Sequence, residues 1–364
     1  MISFKEGTVV RIIESYDEID WIEIEINGEI SKGVNYRSLT GEITIGDSVI
    51  LNTTAVDLSL GTGGQHFVIH NKKNTHKDIE GSGHIMKLRY TPMQFKCLAT
   101  EEQDSPYHNH IKDFTSLDKK IFIVGTLHSM LAPISATIKY LRPELKINYI
   151  MTDSGALPIQ FSKTVKNLKQ KGIIDNTITV GHSFGGDFEC INIYTGIITA
   201  KEVLDSDITI ITMGPGIVGT GTKYGFSGIE QGYIVDAINS LGGTSIVVPR
   251  ISFRDKRNRH TGMSHHSLTI LNEIIKTKTN LILPKLDLEK ENFIKDQMKN
   301  TDIFEKHDIS YEDGTCVKNA LEHYKLKITT MGRGYDEDKE FFTTLGAVAK
   351  GALCYDIRRK DDEK

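Results

Sequence analysis

The sequence predicts an α/β protein: a mainly parallel, Rossmann-like sheet with flanking helices, preceded by a small β-barrel-like module. Three observations predict it. From Lys119 onward, apolar runs of four to six residues alternate with amphipathic helical patterns, as βαβ units do. Residues 1–70 instead show short strands with period-two alternation and Gly or Asp turns. Glycine and polar residues gather just after the apolar runs of the larger part, where open parallel sheets bind ligands.

In the first module, Thr8 to Ile13 is an apolar run, and Trp21 to Ile26 alternates so that one face is buried. Asn27-Gly28 then signals a tight hairpin. Ser31 to Tyr36, Ser48 to Asn52 and Gly64 to His70 complete the strands. Residues 71–118 read as an irregular connector, broken at Gly81-Ser-Gly-His84 and Thr91-Pro92. The α/β domain occupies residues 119–364. Its strands are Ile121–Val124, Ile147–Met151, Thr177–Val180, Ile208–Met213 and Ser245–Val248, with weaker ones at Asn280–Leu283 and Lys327–Met331. Pro158 to Lys171 is the clearest helix, carrying Ile159, Val165 and Leu168 on one stripe. A further helix follows Ser264, over His265 to Lys276.

Composition narrows the class. Of 364 residues, 38% are apolar and 25% charged, so the chain can bury a large core. The net charge of -4 is spread without a basic stripe, which argues against nucleic acid. No stretch approaches the roughly 20 apolar residues that cross a bilayer, and no signal peptide opens the chain. Cys97, Cys190, Cys316 and Cys354 form no CxxC pair and read as reduced, mostly buried thiols of a cytoplasmic protein. The run Arg358 to Lys364 reads as a solvated tail. The helical faces name no dimer interface and leave a homo-oligomer open.

The strand ends form one list of candidates. After the second strand stands Asp153, and after the third His182 and Asp187. The fourth is followed by a long loop with Gly214, Gly216, Gly219 and Gly221. It adds the hydroxyls of Thr220, Thr222 and Ser227, and Glu230 beyond. Backbone N–H groups of such a loop, ahead of a helix starting near Ser227, can cradle an anion. The loop has no Walker lysine and no GxGxxG spacing. The alternative is a structural turn set by packing.

Gly181-His-Ser183-Phe-Gly185 matches the G-x-S-x-G nucleophile elbow, with His265 or His266 as base and Asp207 or Asp255 between. Against it, Asp207 precedes its strand and no oxyanion segment stands upstream. The simpler reading is a glycine turn that opens a helix, with Ser183 as its cap. The block Arg250 to His266 is rich in Arg, Lys and His. Guanidinium groups clamp phosphate or carboxylate, and histidines move protons or bind metal. With His128, Asp153, His182 and Asp187, these histidines could form an acid–base pair or a metal site; no HExxH spacing decides between them. Arg333, in Thr330-Met-Gly-Arg333-Gly334, could reach an anion or pair with Asp336 or Asp338.

Several of these stretches together resemble one family. Leu51 to Asp57, Gly61 to Gly64, Gly83 to Pro92, Met213 to Gly232, Arg250 to His266 and Thr330 to Arg333 resemble the uncharacterised bacterial domain-of-unknown-function family 3866. The resemblance implies a bacterial origin and brings no mechanism. It also implies that relatives can carry alanine at the position of Ser183, so that this serine is not a shared nucleophile.

The expected function is therefore a small-molecule enzyme acting on an anionic or phosphorylated metabolite. The glycine loop holds the anion; His182, His265 or His266 moves protons; Asp153, Asp187 or Glu230 orients them or holds a divalent cation. The sequence names no cofactor. A serine hydrolase using Ser183 and a non-catalytic ligand sensor are the alternatives.

Overall fold

A computed structural model of the chain describes residues 1–61, 63–76 and 78–362. It divides into two compact units, Met1–Cys97 and Leu98–Lys364.

The first unit holds a closed five-stranded barrel. Its strands are β1 (Phe4–Tyr16), β2 (Ile19–Ile26), β3 (Glu29–Tyr36), β4 (Ser48–Asn52) and β5 (Gln65–Asn71), in the order β1-β2-β3-β5-β4. β3 and β5 run parallel, and β1 pairs with β4 to close the ring. The alternation read in β2 is realised: Ile22, Ile24 and Ile26 are buried, while Glu25 faces water. Asn27 and Gly28 both take positive φ, as the tight turn between β2 and β3 requires. Within residues 71–97 a short antiparallel ribbon pairs Ile85–Lys87 with Phe95–Cys97.

The second unit is a sheet of eight parallel strands. They are β6 (Ile121–Val124), β7 (Ile147–Thr152), β8 (Asn176–Val180), β9 (Phe188–Cys190), β10 (Ile208–Met213), β11 (Thr244–Val247), β12 (Asn280–Pro284) and β13 (Asp308–Glu312). Their order is β9-β8-β7-β10-β6-β11-β12-β13. The central strands are buried throughout because both faces are covered. On one face, Ile121, Ile123, Tyr149 and Ile210 pack under α1 (Leu131–Leu141) and α2 (Lys163–Gln170). On the other, Phe122, Val124 and Ile211 pack under α3 (Ile193–Glu202) and α4 (Glu230–Ser240). Each fully buried isoleucine contributes about 1.5–3 kcal/mol. Further helices include α5 (His265–Thr269), which continues as a π-turn through Ile274, α6 (Leu288–Met298), α7 (Val317–His323) and α8 (Lys339–Asp362).

Four expectations change. Lys327–Met331 is no strand: Thr330 and Arg333 exchange backbone hydrogen bonds across a tight turn, and β13 takes the edge of the sheet. The helix expected from Pro158 begins at Lys163, because the Ser162 side chain accepts from the N–H of Val165 and caps it there. No helix follows Gly181–Asp187; the turn leads into β9. The run Arg358 to Lys364 has helical backbone to Asp362, and its side chains, with Glu363 and Lys364, lie outside the described residues. None of the four cysteines forms a disulfide among the described residues; only Cys190 of them is buried, while Cys97 and Cys316 are half-buried and Cys354 is exposed. Among the described residues no helix is long and apolar enough to cross a membrane.

Candidate functional site

The connections leaving the sheet split near its centre. β6 and β7 lead to helices on one face, β10 and β11 to helices on the other. Such a divergence opens a crevice at the carboxyl ends of the strands. Gln231, buried on the first turn of α4, spans it: its Nε2 donates to the carbonyls of Val124 at 2.6 Å and Val248 at 3.1 Å. A cleft of about 210 Å³ lies there. Thr126 and Leu127 line it after β6, Ile217 to Gly219 and Gly221 after β10, and Arg250, Arg257, Arg259, His260 and His266 after β11. Met331 adds an apolar wall.

The histidine segment is held by a small hairpin. Ile251–Ser252 pairs with Gly262–Met263, and Gln297 of α6 clasps the second strand. The Met263 N–H donates to Gln297 Oε1 at 2.8 Å, and Nε2 donates to the Thr261 carbonyl at 3.0 Å. Gly262 has φ +69°, and a Cβ there would stand 2.5 Å from Gln297 Oε1, so only glycine fits. Ser264 then caps α5, accepting from the His266 N–H at 3.3 Å. His260 Nδ1 lies 2.8 Å from the same Ser264 hydroxyl. The rings of His260, His265 and His266 meet with centroids 4.9, 5.1 and 4.2 Å apart. Phe226, from the far end of the glycine loop, stacks on His266 at 3.8 Å.

The charges are arranged around these rings. Arg250 and Arg257 both pair with Asp255, at 2.8 and 2.9 Å. Hydrogen bonds from Arg257 above all, and from Arg250, hold the Asp255 carboxyl far below the usual range against the effect of its burial. Among the described residues, no carboxylate pairs with Arg259, whose Nη2 lies beside Gly221. Three guanidinium groups against one carboxylate leave two positive charges at the cleft. Burial, then these cations, push His260 down to about 4. Burial, then the two other imidazoles, push His266 down to about 3. His265 is lowered by burial and by Arg259. Each shift favours the neutral ring, the form that binds metal or accepts a proton.

Gly219, Gly221, Arg250 and His266 thus meet at one cleft, with His265 against His266. The other candidates do not. The hydroxyls of Thr220 and Thr222 bond each other at 2.9 Å and tie the loop to Gly225. Ser227 accepts from the Val218 N–H at 3.1 Å and fastens the loop base. Gly214 packs on Ala156, and Gly216 lies open at the surface. Arg333 donates through Nε to buried Asp338 at 3.0 Å, the pairing that competed with an anion. Asp187 lies at the opposite edge of the sheet, where it accepts from the N–H and hydroxyl of Thr177, the second residue of β8.

Asp153, His182 and Glu230 form a separate, acidic corner. Asp153 accepts from the His182 N–H at 3.0 Å. Buried Glu230 accepts from Thr152 Oγ1 at 2.5 Å and from Ser154 Oγ. Burial first, and the Asp153 charge in addition, raise the Glu230 carboxyl. His128 is a joint between elements: its Nε2 meets Ser162 Oγ at 2.6 Å, and its Nδ1 meets the Met213 carbonyl at 3.2 Å. Burial pushes it to about 4. Ser183 is fully buried and donates to the Thr152 carbonyl at 3.0 Å. With a strand on both sides of its turn, it lacks the strand–turn–helix setting of a nucleophile elbow.

Sequence reasoning had no signal for the apolar walls, Leu127, Ile217 and Met331, which carry no chemistry of their own. His260 already belonged to the Arg250–His266 block, whose histidines the sequence offers together as an acid–base pair or metal site.

A comparison with curated proteins finds no match. A family model described as "Protein of unknown function (DUF3866)" matches residues 32–349, a span that includes every residue of the cleft.

Proposed function

The chain belongs to the DUF3866 family, and from that premise we propose that it is a cytoplasmic small-molecule enzyme that takes an anionic or phosphorylated metabolite in the cleft above β6, β10 and β11. One observation carries this reading. Arg259, a guanidinium with no carboxylate partner among the described residues, faces glycine backbone at Gly221 beside three imidazoles that favour the neutral form. Guanidinium and backbone N–H groups are what a phosphate or carboxylate needs. Arg250 is held in place by Asp255, so its donors are pre-oriented. An imidazole lone pair in the same cleft can take up a proton or a metal ion. Cysteines that form no disulfide among the described residues support a reducing compartment. The net charge of -4 supports a small ligand rather than a nucleic acid.

The test is calorimetric binding of inorganic phosphate and a simple phosphate monoester. A hydrogen bond to a charged group contributes about 1.5–3 kcal/mol, so Arg259→Ala should weaken binding roughly 10- to 150-fold. Undiminished binding by that variant, or none by the wild type, would remove the reading.

A further inference from the structure

We propose that His260, His265 and His266 form a three-imidazole site for a divalent transition-metal ion of the zinc kind. One ligand nitrogen from each ring can be chosen so that all three lie within 4.8 Å of one another. A tetrahedral ion at about 2.1 Å from each nitrogen needs them about 3.4 Å apart. The three nitrogens therefore have to draw closer as the ion binds.

Three further observations point to a ligand. His265 Nε2 is buried and has no hydrogen-bond partner among the described residues. An imidazole nitrogen left so loses its hydration without return, unless something else occupies the place. Ser264 Oγ stands 2.8 Å from His260 Nδ1 and is fixed by its role as helix cap. With Nδ1–H donating to that oxygen, the Nε2 lone pair of His260 is left for the ion; metal-bound histidines are usually oriented by such an outer hydrogen bond. The Phe226 ring, parallel to His266 within 8°, locks the plane of the third imidazole.

The surroundings suit this chemistry. Neutral imidazole is the ligating form, and it suits zinc and its neighbours rather than magnesium or calcium. Three protein nitrogens leave at least one coordination position open, as in catalytic rather than structural zinc sites. His260 and His266 line the cleft where Arg250 and Arg259 stand, so an oxygen of the anion can complete the shell. The assignment deepens the anion reading, and rests on it for that last ligand alone.

The full chain, stripped with a chelator and moved to buffer free of phosphate and sulfate, should take up one equivalent of Zn²⁺ by calorimetry. Co²⁺ should give visible ligand-field absorption. His260→Ala and His265→Ala should each lower the affinity by more than roughly 100-fold, beyond what losing an outer-shell partner costs. Absence of binding by the wild type, or binding by either variant as tight as the wild type's, would overturn the site. X-ray absorption of the zinc-loaded wild type keeps the test decisive should a variant misfold. Three imidazoles at about 2.0–2.1 Å are expected, and an oxygen-only shell would refute them. Phosphate binding by the stripped protein reports on the Arg259 reading alone, so failure of either reading is seen separately.

Discussion

Two strand ends of the same sheet carry glycine and histidine, and they put them to opposite use. At the end of β8, the turn Gly181–Asp187 commits its groups inward. Ser183 donates to the Thr152 carbonyl, the N–H of Gly186 donates to Thr179 Oγ1, and Asp187 accepts from Thr177. The first ties the turn to the end of β7, and the other two run back along β8, beside the edge strand β9. Beyond β11, the Arg250–His266 hairpin commits only its frame. Gln297, Ser264 and Asp255 are spent on holding it, while Arg259 and His265 Nε2 are left without such partners among the described residues. The difference teaches that residue type does not separate a fastening from a site. What separates them is which polar groups remain after the local hydrogen bonds are made.

Three substitutions sharpen the contrast. The largest effect is expected at Asp255, whose carboxylate joins buried Arg250 to Arg257. Asp255→Asn should cost about 3 kcal/mol in chemical denaturation, the low end for a broken buried pair, since the cleft admits water beside Arg250. Its pH dependence has a definite sign. Asp255 is depressed in the folded state, so its contribution is complete above the unfolded carboxyl pKa of about 4 and is lost as pH falls. The gap between wild type and variant should therefore hold at pH 7 and narrow below about pH 4. A gap independent of pH would show that the pair does not act through charge. Next comes Ser183→Ala, which should cost roughly 1 kcal/mol by removing one buried hydrogen bond, with phosphate and zinc binding intact. Loss of either binding with stability preserved would reopen the turn as a site. The smallest effect is at Lys169, which donates to Asp187 at 2.6 Å at the surface. Lys169→Ala should change stability by less than about 0.5 kcal/mol. A larger loss in thermal unfolding would show that this edge of the sheet bears more than a solvated ion pair.

Much of the fold was legible because its strands are buried on both faces. Runs such as Ile121–Val124 and Ile208–Met213 have no other reading at that length. Asp308–Glu312 was not legible: an edge strand with only partly buried residues shows neither an apolar run nor alternation. The helix expected after Gly181 failed for a related reason, since three residues of β9 are too few to signal a strand. At the candidate site, the sequence placed the glycine loop and the Arg250–His266 block at one sheet edge, and residues of both line one cleft. It could not show that Thr220 and Thr222 would bond each other, or that Arg333 would turn to Asp338. Those outcomes depend on partners five residues away or fewer, whose geometry is set by turns rather than by pattern.

The compactness of the histidine segment also bears on how the molecule is assembled. The three imidazoles fall within residues 260–266, so closing one short hairpin and one helical turn brings them together. The chamber around them needs Thr126, Gly219 and Met331, which meet only when the whole sheet is in place. Local closure is fast, and pairing of distant parallel strands is slow. The nitrogen set can therefore gather during synthesis before the chamber that encloses it exists. A metal ion captured at that stage would nucleate this corner of the domain rather than diffuse into a finished one.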